Sequence, residues 1–174
     1  MKNNSSKRYF IFIGQLAAIA ALIGIDQLTK YIAEKNLPGR SVTFITGVLE
    51  LTYVRNTGAA FGSFAGNTFV LTILTGAIII AGLVLLFLGK FKGKLQSMCA
   101  VMILAGGIGN LIDRIVNKYV IDFINAVFID FPVFNFADIL VTCGVITAVI
   151  YMIYDAVRDA KKNNPDSPDG ENNA

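Results

Sequence analysis

FVLTILTGAIIIAGLVLLFL, residues Phe69 to Leu88, runs for twenty positions without a charged side chain or a proline. A helix rises 1.5 Å per residue, so a run of this length matches the roughly 30 Å hydrocarbon core of a bilayer. Three further apolar runs flank it, from about Tyr9 to Ile25, Leu95 to Ile112 and Ile139 to Tyr154. With their polar ends included, the spacing predicts membrane helices over about 9–30, 69–88, 95–113 and 138–157. Composition agrees: 55% of the 174 residues are hydrophobic and 16% charged, against about 25% charged in soluble domains. Mean hydropathy is +0.62. The expected fold is an integral membrane, mainly α protein of four transmembrane helices, one domain over residues 1–160. The tail KKNNPDSPDGENNA, residues 161–174, is polar, unpatterned and expected to be disordered. No internal repeat is visible.

Lys2, Lys7 and Arg8 precede the first run, Lys90, Lys92 and Lys94 fill the connection between the second and third, and Arg158, Lys161 and Lys162 follow the fourth. Those segments share one side in a four-span topology, and the positive-inside rule assigns that side to the cytoplasm, with both termini. Ala18-Ile19-Ala20 after a basic start also fits a cleavable signal peptide, but the apolar run exceeds the usual h-region.

The chain has no histidine. That excludes a Ser-His-Asp triad, a Cys-His pair and a histidine metal or haem site, and no metal site or cofactor is expected. Cys99 and Cys143 lie in apolar runs without a CxxC partner and read as small buried hydrophobes. A net charge of +3 with no basic-aromatic stripe gives no nucleic-acid signal.

The costly polar residues collect at one depth. Asp26 ends the first span, Asn110 and Asp113 end the third, and Asp138 opens the fourth, all at the predicted outer face. Ionisable groups at membrane depth are expensive and usually serve function. Asp26 and Lys30 lie four apart on one helix face and read equally as an i,i+4 pair or an anchor. Asn56 and Gly58, after the strand-like stretch Val48–Val54, read as a turn or as a small-residue surface for a substrate backbone. Gly106, Gly107 and Gly109 permit close helix packing, and Asn110 and Asp113 read as a structural knot with Arg114. Asp138 also reads as a capping acid at N3 with Asn135 as N-cap.

Asp122, in the strand-like Val120-Ile121-Asp122-Phe123-Ile124, has neither cap nor adjacent base. Two carboxyls in apolar flanks at one membrane face suggest an acid/base pair. Held close, they split their protonation states, so that one takes a proton from water while the other hydrogen-bonds a carbonyl. Such a pair hydrolyses a peptide without histidine. The rivals are a Ser63/Lys30 peptidase and a four-helix carrier relaying protons through Asp113 and Asp138.

Five blocks stand in order: Asp26-Gln27-x-x-Lys30, Arg55-Asn56-x-Gly58-Ala59-Ala60-Phe61, Gly109-Asn110-x-x-Asp113-Arg114, Val120-Ile121-Asp122-Phe123 and Phe134-Asn135-x-Ala137-Asp138. Over about residues 9 to 155 this series resembles the bacterial lipoprotein signal peptidases, signal peptidase II. The resemblance implies an aspartic endopeptidase of the cytoplasmic membrane that cleaves prolipoproteins before a cysteine carrying diacylglycerol, with Asp122 and Asp138 as the catalytic dyad. It implies that Asn56, Asn110, Arg114 and Asn135 position substrate and dyad, and that Asp26, Lys30 and Asp113 are structural supports. It further implies a small external β-cradle and a short external helix, to which Val48–Val54 and the segment after Gly62 are matched. Lipid-modified prolipoproteins and membrane lipids are the expected partners, globomycin the inhibitor and a monomer the expected state. Ile139 stands where many relatives carry a small or hydroxylated residue, and Asp130 is a spare carboxylate assigned to a loop.

Overall fold

The computed structural model describes residues 2–58, 68–91 and 93–162. Its elements are α1 (Lys2–Asn36), β1 (Val42–Ile45), β2 (Leu49–Asn56), α2 (Thr68–Phe87), α3 (Lys94–Val116), β3 (Val120–Ala126) and α4 (Phe136–Lys162). All four helices are long and apolar enough to cross a membrane, and this is a multi-pass membrane protein. The helices outrun the apolar sequence. α1 continues through Asp26 and Lys30 to Asn36 because those charges are buried against α3 rather than left at an interface. Lys161 and Lys162, read from sequence as the start of the tail, belong to α4, whereas the rest of the tail and the segment after Gly62 lie outside the described residues.

α3 is the central helix and packs against α1, α2 and α4. Its buried Ala100, Val101, Leu104 and Ala105 meet Ile19 of α1, Ile79 and Leu86 of α2 and Leu140 of α4. The outer faces of α1, α2 and α4 remain apolar and exposed, as a lipid-facing bundle requires. Two glycines of α3 allow the closest approaches. A Cβ on Gly106 would collide with the Ala137 carbonyl, and one on Gly109 would lie 2.5 Å from Asp26 Oδ2.

The three strands form an antiparallel sheet in the order β1-β2-β3. Alternation along β3 sends Ile121 and Phe123 against Ala33 and Leu37 at the end of α1. Val120 and Asp122 therefore face the other way, into a cavity. Register pairs Asn56 with Val120 and Val54 with Asp122, with a bulge between Leu51 and Val54. Beyond β3 the chain returns along the sheet, where Phe134 exchanges hydrogen bonds with Ile124 (2.8 and 3.0 Å). That short bridge delivers Asn135 beside Asp122.

Candidate active site

Four elements bring side chains to one end of the bundle: α1, α3, the first turn of α4, and the sheet. The deepest layer is ionic. Lys30 Nζ lies 2.9 Å from Asp26 and 3.1 Å from Asp113, and all three residues are at most 2% exposed. Buried charges are tolerable only when their remaining hydrogen-bonding positions are filled. Here Asp26 Oδ1 accepts the Ala137 N–H (3.0 Å), Asp113 Oδ2 accepts the Ile121 N–H (3.1 Å), and Gln27 Nε2 donates to both carboxylates. The Asp26–Lys30 pair is thus a buried tie between α1, α3 and α4, not a surface pair. Asp113 is held by Lys30 and Gln27. The expected knot with Arg114 is not formed, because burial selects the compact ammonium that reaches both carboxylates at once.

Above this layer sits Asn110. Lysine only donates, so the amide oxygen of Asn110 must face Lys30 Nζ (2.8 Å). Its nitrogen is then turned toward Asp138, and donates to Oδ1 at 2.8 Å. Asn135 is the N-cap of α4: its Oδ1 accepts the Asp138 N–H (3.0 Å), while Asp138 Oδ2 accepts the Asn135 N–H (3.0 Å). This is the reciprocal capping box expected from sequence, with aspartate at N3. The Asn135 amide nitrogen donates to Asp122 Oδ1 (2.6 Å) and to Asn110 Oδ1 (3.2 Å). Asn56 completes the set from β2, donating to Asp122 Oδ2 at 2.8 Å while its oxygen accepts the Gly58 N–H at 2.9 Å. It is at once the turn residue expected from sequence and a partner of the Asp122 carboxyl, a contact that its sequence readings did not include.

Asp122 and Asp138 are therefore linked through a single asparagine, and both line a cavity of about 640 Å³. Below the carboxyls its walls are apolar: Ile78 and Ile79 of α2, Ile103 and Leu104 of α3, Val141 of α4. Burial raises the pKa of Asp122 to about 6, and the Asp138 charge adds to the rise against the amide donors of Asn56 and Asn135 and the Lys30 ammonium. Half-buried Arg114 lines the same cavity and makes no hydrogen bond or ion pair with a described residue. Asp130 is exposed on the loop after β3. Ser63 lies outside the described residues. Cys99 is buried, but Cys143 is exposed on the cavity wall, contrary to its sequence reading, because this face of α4 borders the opening rather than a neighbouring helix.

Sequence reasoning left Gln27 without a role, although it ties Asp26, Asp113 and the Gly109 carbonyl (3.2 Å) together. Its signal was its place between Asp26 and Lys30 at membrane depth. The cavity walls carried no comparable signal, since Ile78 or Val141 looks like any lipid-facing residue.

The family model for signal peptidase (SPase) II matches residues 18–154, which hold every residue of this cluster. The chain belongs to the signal peptidase II family. The lipoprotein signal peptidase of Staphylococcus haemolyticus is 42% identical over 154 residues, covering 86% of this chain and 96% of that protein. The lipoprotein signal peptidase of Enterococcus faecalis is 39% identical over 137 residues, 78% of this chain and 85% of that protein. Among solved structures, a bacterial membrane enzyme determined by the in meso method superposes with a TM-score of 0.76 at 33% identity, over 82% of this chain and 89% of that one. A second such structure gives a TM-score of 0.74 at 32% identity, over 82% and 94%. A signal peptidase II family member thus accounts for four helices and a three-stranded sheet converging on one polar cluster.

Proposed function

We propose that this chain is an aspartic endopeptidase that removes signal peptides from diacylglyceryl-modified prolipoproteins, cleaving before the lipidated cysteine. The observation that carries the proposal is the pair Asp122 and Asp138, bridged by Asn135 at the polar mouth of an otherwise apolar cavity between α2, α3 and α4. The signal helix and the acyl chains of such a substrate fit apolar walls, and one peptide bond needs a polar notch.

The chemistry follows from the pair. The ionised carboxylate takes a proton from a water molecule as its oxygen attacks the scissile carbonyl carbon. The protonated partner donates a hydrogen bond to the carbonyl oxygen and stabilises the charge that develops there. Collapse of the tetrahedral intermediate breaks the C–N bond, and a proton from the dyad passes to the departing cysteine nitrogen. Arg114, unpaired among the described residues, supplies donors for a substrate carbonyl, and Asn56 and Asn110 fix the two carboxyls. One chain carries the whole cluster, so a monomer suffices. With basic segments cytoplasmic, the cluster lies at the outer face, where a lipidated cysteine sits in the outer leaflet. Globomycin is expected to compete for the same cavity.

Purified protein in detergent, incubated with a diacylglyceryl-modified prolipoprotein and with its unmodified form, tests this on a mobility-shift gel. Wild type is expected to cleave only the modified form, and D122N and D138N neither. Cleavage retained by either variant overturns the dyad; equal cleavage of both substrates overturns the lipid requirement.

A further inference from the structure

At the other end of the bundle a second cavity, of about 310 Å³, is lined by Lys7, Arg8, Ile11, Phe12 and Gln15 of α1, with Leu86, Gly89 and Phe91 opposite. Arg8 precedes Asp26 by 18 residues, about 27 Å of helix, which sets this cavity at the opposite membrane boundary from the carboxylates. We propose that it binds the phosphodiester headgroup of an anionic glycerophospholipid, with an acyl chain running down the wall formed by Ile11, Phe12 and Leu86.

Three observations point to that ligand. The first is uncompensated charge. Lys7 and Arg8 line the cavity, Lys90 stands between its Gly89 and Phe91 walls in sequence, and Lys94 follows three residues after Phe91. None of these four forms an ion pair with a described residue, and the described carboxylates at the end of α4, Asp155 and Asp159, are taken by Arg158. The second is preorganisation. Arg8 Nη2 donates to the Phe87 carbonyl (3.0 Å), and its guanidinium lies 5.9 Å from the centre of the Phe87 ring. Phe12 in turn packs edge-on against Phe87, with ring centroids 5.3 Å apart. The last carbonyls of α2 are already closed, Leu85 by the Lys90 N–H and Leu86 by the Gly89 N–H, with Gly89 in the left-handed conformation at φ +65°. Arg8 is thus fixed by one donor and a ring, and its remaining donors have no partner among the described residues.

The third is the wall itself. Gln15 lies two turns deeper than Arg8 on the same face, at membrane depth, and its amide has no hydrogen bond to a described residue. An ester carbonyl of a lipid is the acceptor that position lacks. A soluble anion would use the cations but neither Gln15 nor the apolar wall, so the site is matched to a lipid. Basic pockets between membrane helices on the positive side are the usual setting for such headgroups.

Native mass spectrometry of the purified full chain, with phosphatidylglycerol and phosphatidylcholine of identical acyl chains in competition, is the test. Wild type is expected to retain phosphatidylglycerol preferentially. The preference should fall about fivefold for K7Q, whose side chain makes no described contact that folding needs, and about 25-fold for the K7Q/R8Q pair. K118Q, at the other membrane boundary, should leave it unchanged. Equal retention of the two lipids by wild type, or an undiminished preference in K7Q, overturns the proposal. Full displacement of phosphatidylglycerol by sn-glycerol 3-phosphate also overturns it, in favour of a soluble anion.

Discussion

Replacing Asp122 with asparagine should do more than remove cleavage; it should remove a pH dependence of stability. Asp122 is 2% exposed, and burial with the nearby Asp138 charge raises its pKa from 3.8 to about 6. The folded protein therefore holds this proton more tightly than the unfolded chain. The resulting stabilisation is fully present below the unfolded value of 3.8 and is lost as pH climbs through the folded value of about 6. Each pKa unit is worth about 1.4 kcal/mol, so the whole effect is about 3 kcal/mol, of which titration between about pH 4.5 and about pH 7.5 covers about 2 kcal/mol. The other carboxylates contribute a slope of their own, common to wild type and variant. The informative quantity is the difference between the two slopes. Reversible SDS denaturation in mixed micelles, followed by far-UV circular dichroism at both pH values, measures it. Wild type should lose about 2 kcal/mol more than D122N over that interval. The amide also faces two donors, Asn56 and Asn135, whose own oxygens are engaged by the Gly58 and Asp138 N–H groups and do not turn away freely. D122N is therefore expected to give back about 1 kcal/mol at every pH, a uniform offset that leaves the slope difference intact. Equal pH slopes in the two proteins would refute the assignment of a burial-perturbed carboxyl at this position.

Lys30→Met leaves Asp26 and Asp113 buried without their cation and should cost about 3–5 kcal/mol in the same denaturation assay, with partial recovery when Asp113→Asn is added. Gly109→Ala forces a methyl to within 2.5 Å of Asp26 Oδ2 and should destabilise by about 1–3 kcal/mol, whereas Gly76→Ala meets nothing within 4 Å and should be neutral or slightly stabilising. Asp138→Asn removes an acceptor from the α4 cap and should combine loss of cleavage on the mobility-shift gel with about 1 kcal/mol of destabilisation. Exposed Asp130 bears on neither property, and Asp130→Asn should match wild type in both measurements.

The four spans were legible because a bilayer imposes a length and an apolarity that one window such as Phe69–Leu88 displays outright. Two of the described strands were legible, at Val48–Val54 and Val120–Ile124, where alternation and β-branched residues persist, whereas β1 at Val42–Ile45 was not read. The sheet register was not, since it depends on the Leu51/Val54 bulge and on the Phe134 bridge, neither of which has a local signature. At the site, the cost of placing Asp26, Lys30, Asn110, Asp113 and Asp138 at membrane depth drew attention to them without partners being known. Which carboxylate took which cation was beyond the pattern. Adjacency favoured Arg114 for Asp113, and only the packing of α1 on α3 gives Lys30 both acids. Gln27 showed only its place between Asp26 and Lys30, because the partners of a neutral amide exist only once α1 packs on α3.

Asp26, Lys30 and Asp113, expected from sequence as structural supports, each reach the Asp122 and Asp138 pair through the hydrogen-bond geometry. Lys30 fixes the Asn110 oxygen, which obliges the Asn110 nitrogen to face Asp138. Asp26 anchors the first turn of α4 through the Ala137 N–H, and that turn carries Asp138. Asp113 holds the Ile121 N–H, one residue before Asp122 on β3. Each supporting side chain thus sets the position of one carboxyl of the pair through a single intermediary. A site assembled from a sheet strand and a helix terminus has no common element to fix its spacing. In this chain the ionic layer beneath supplies that common element.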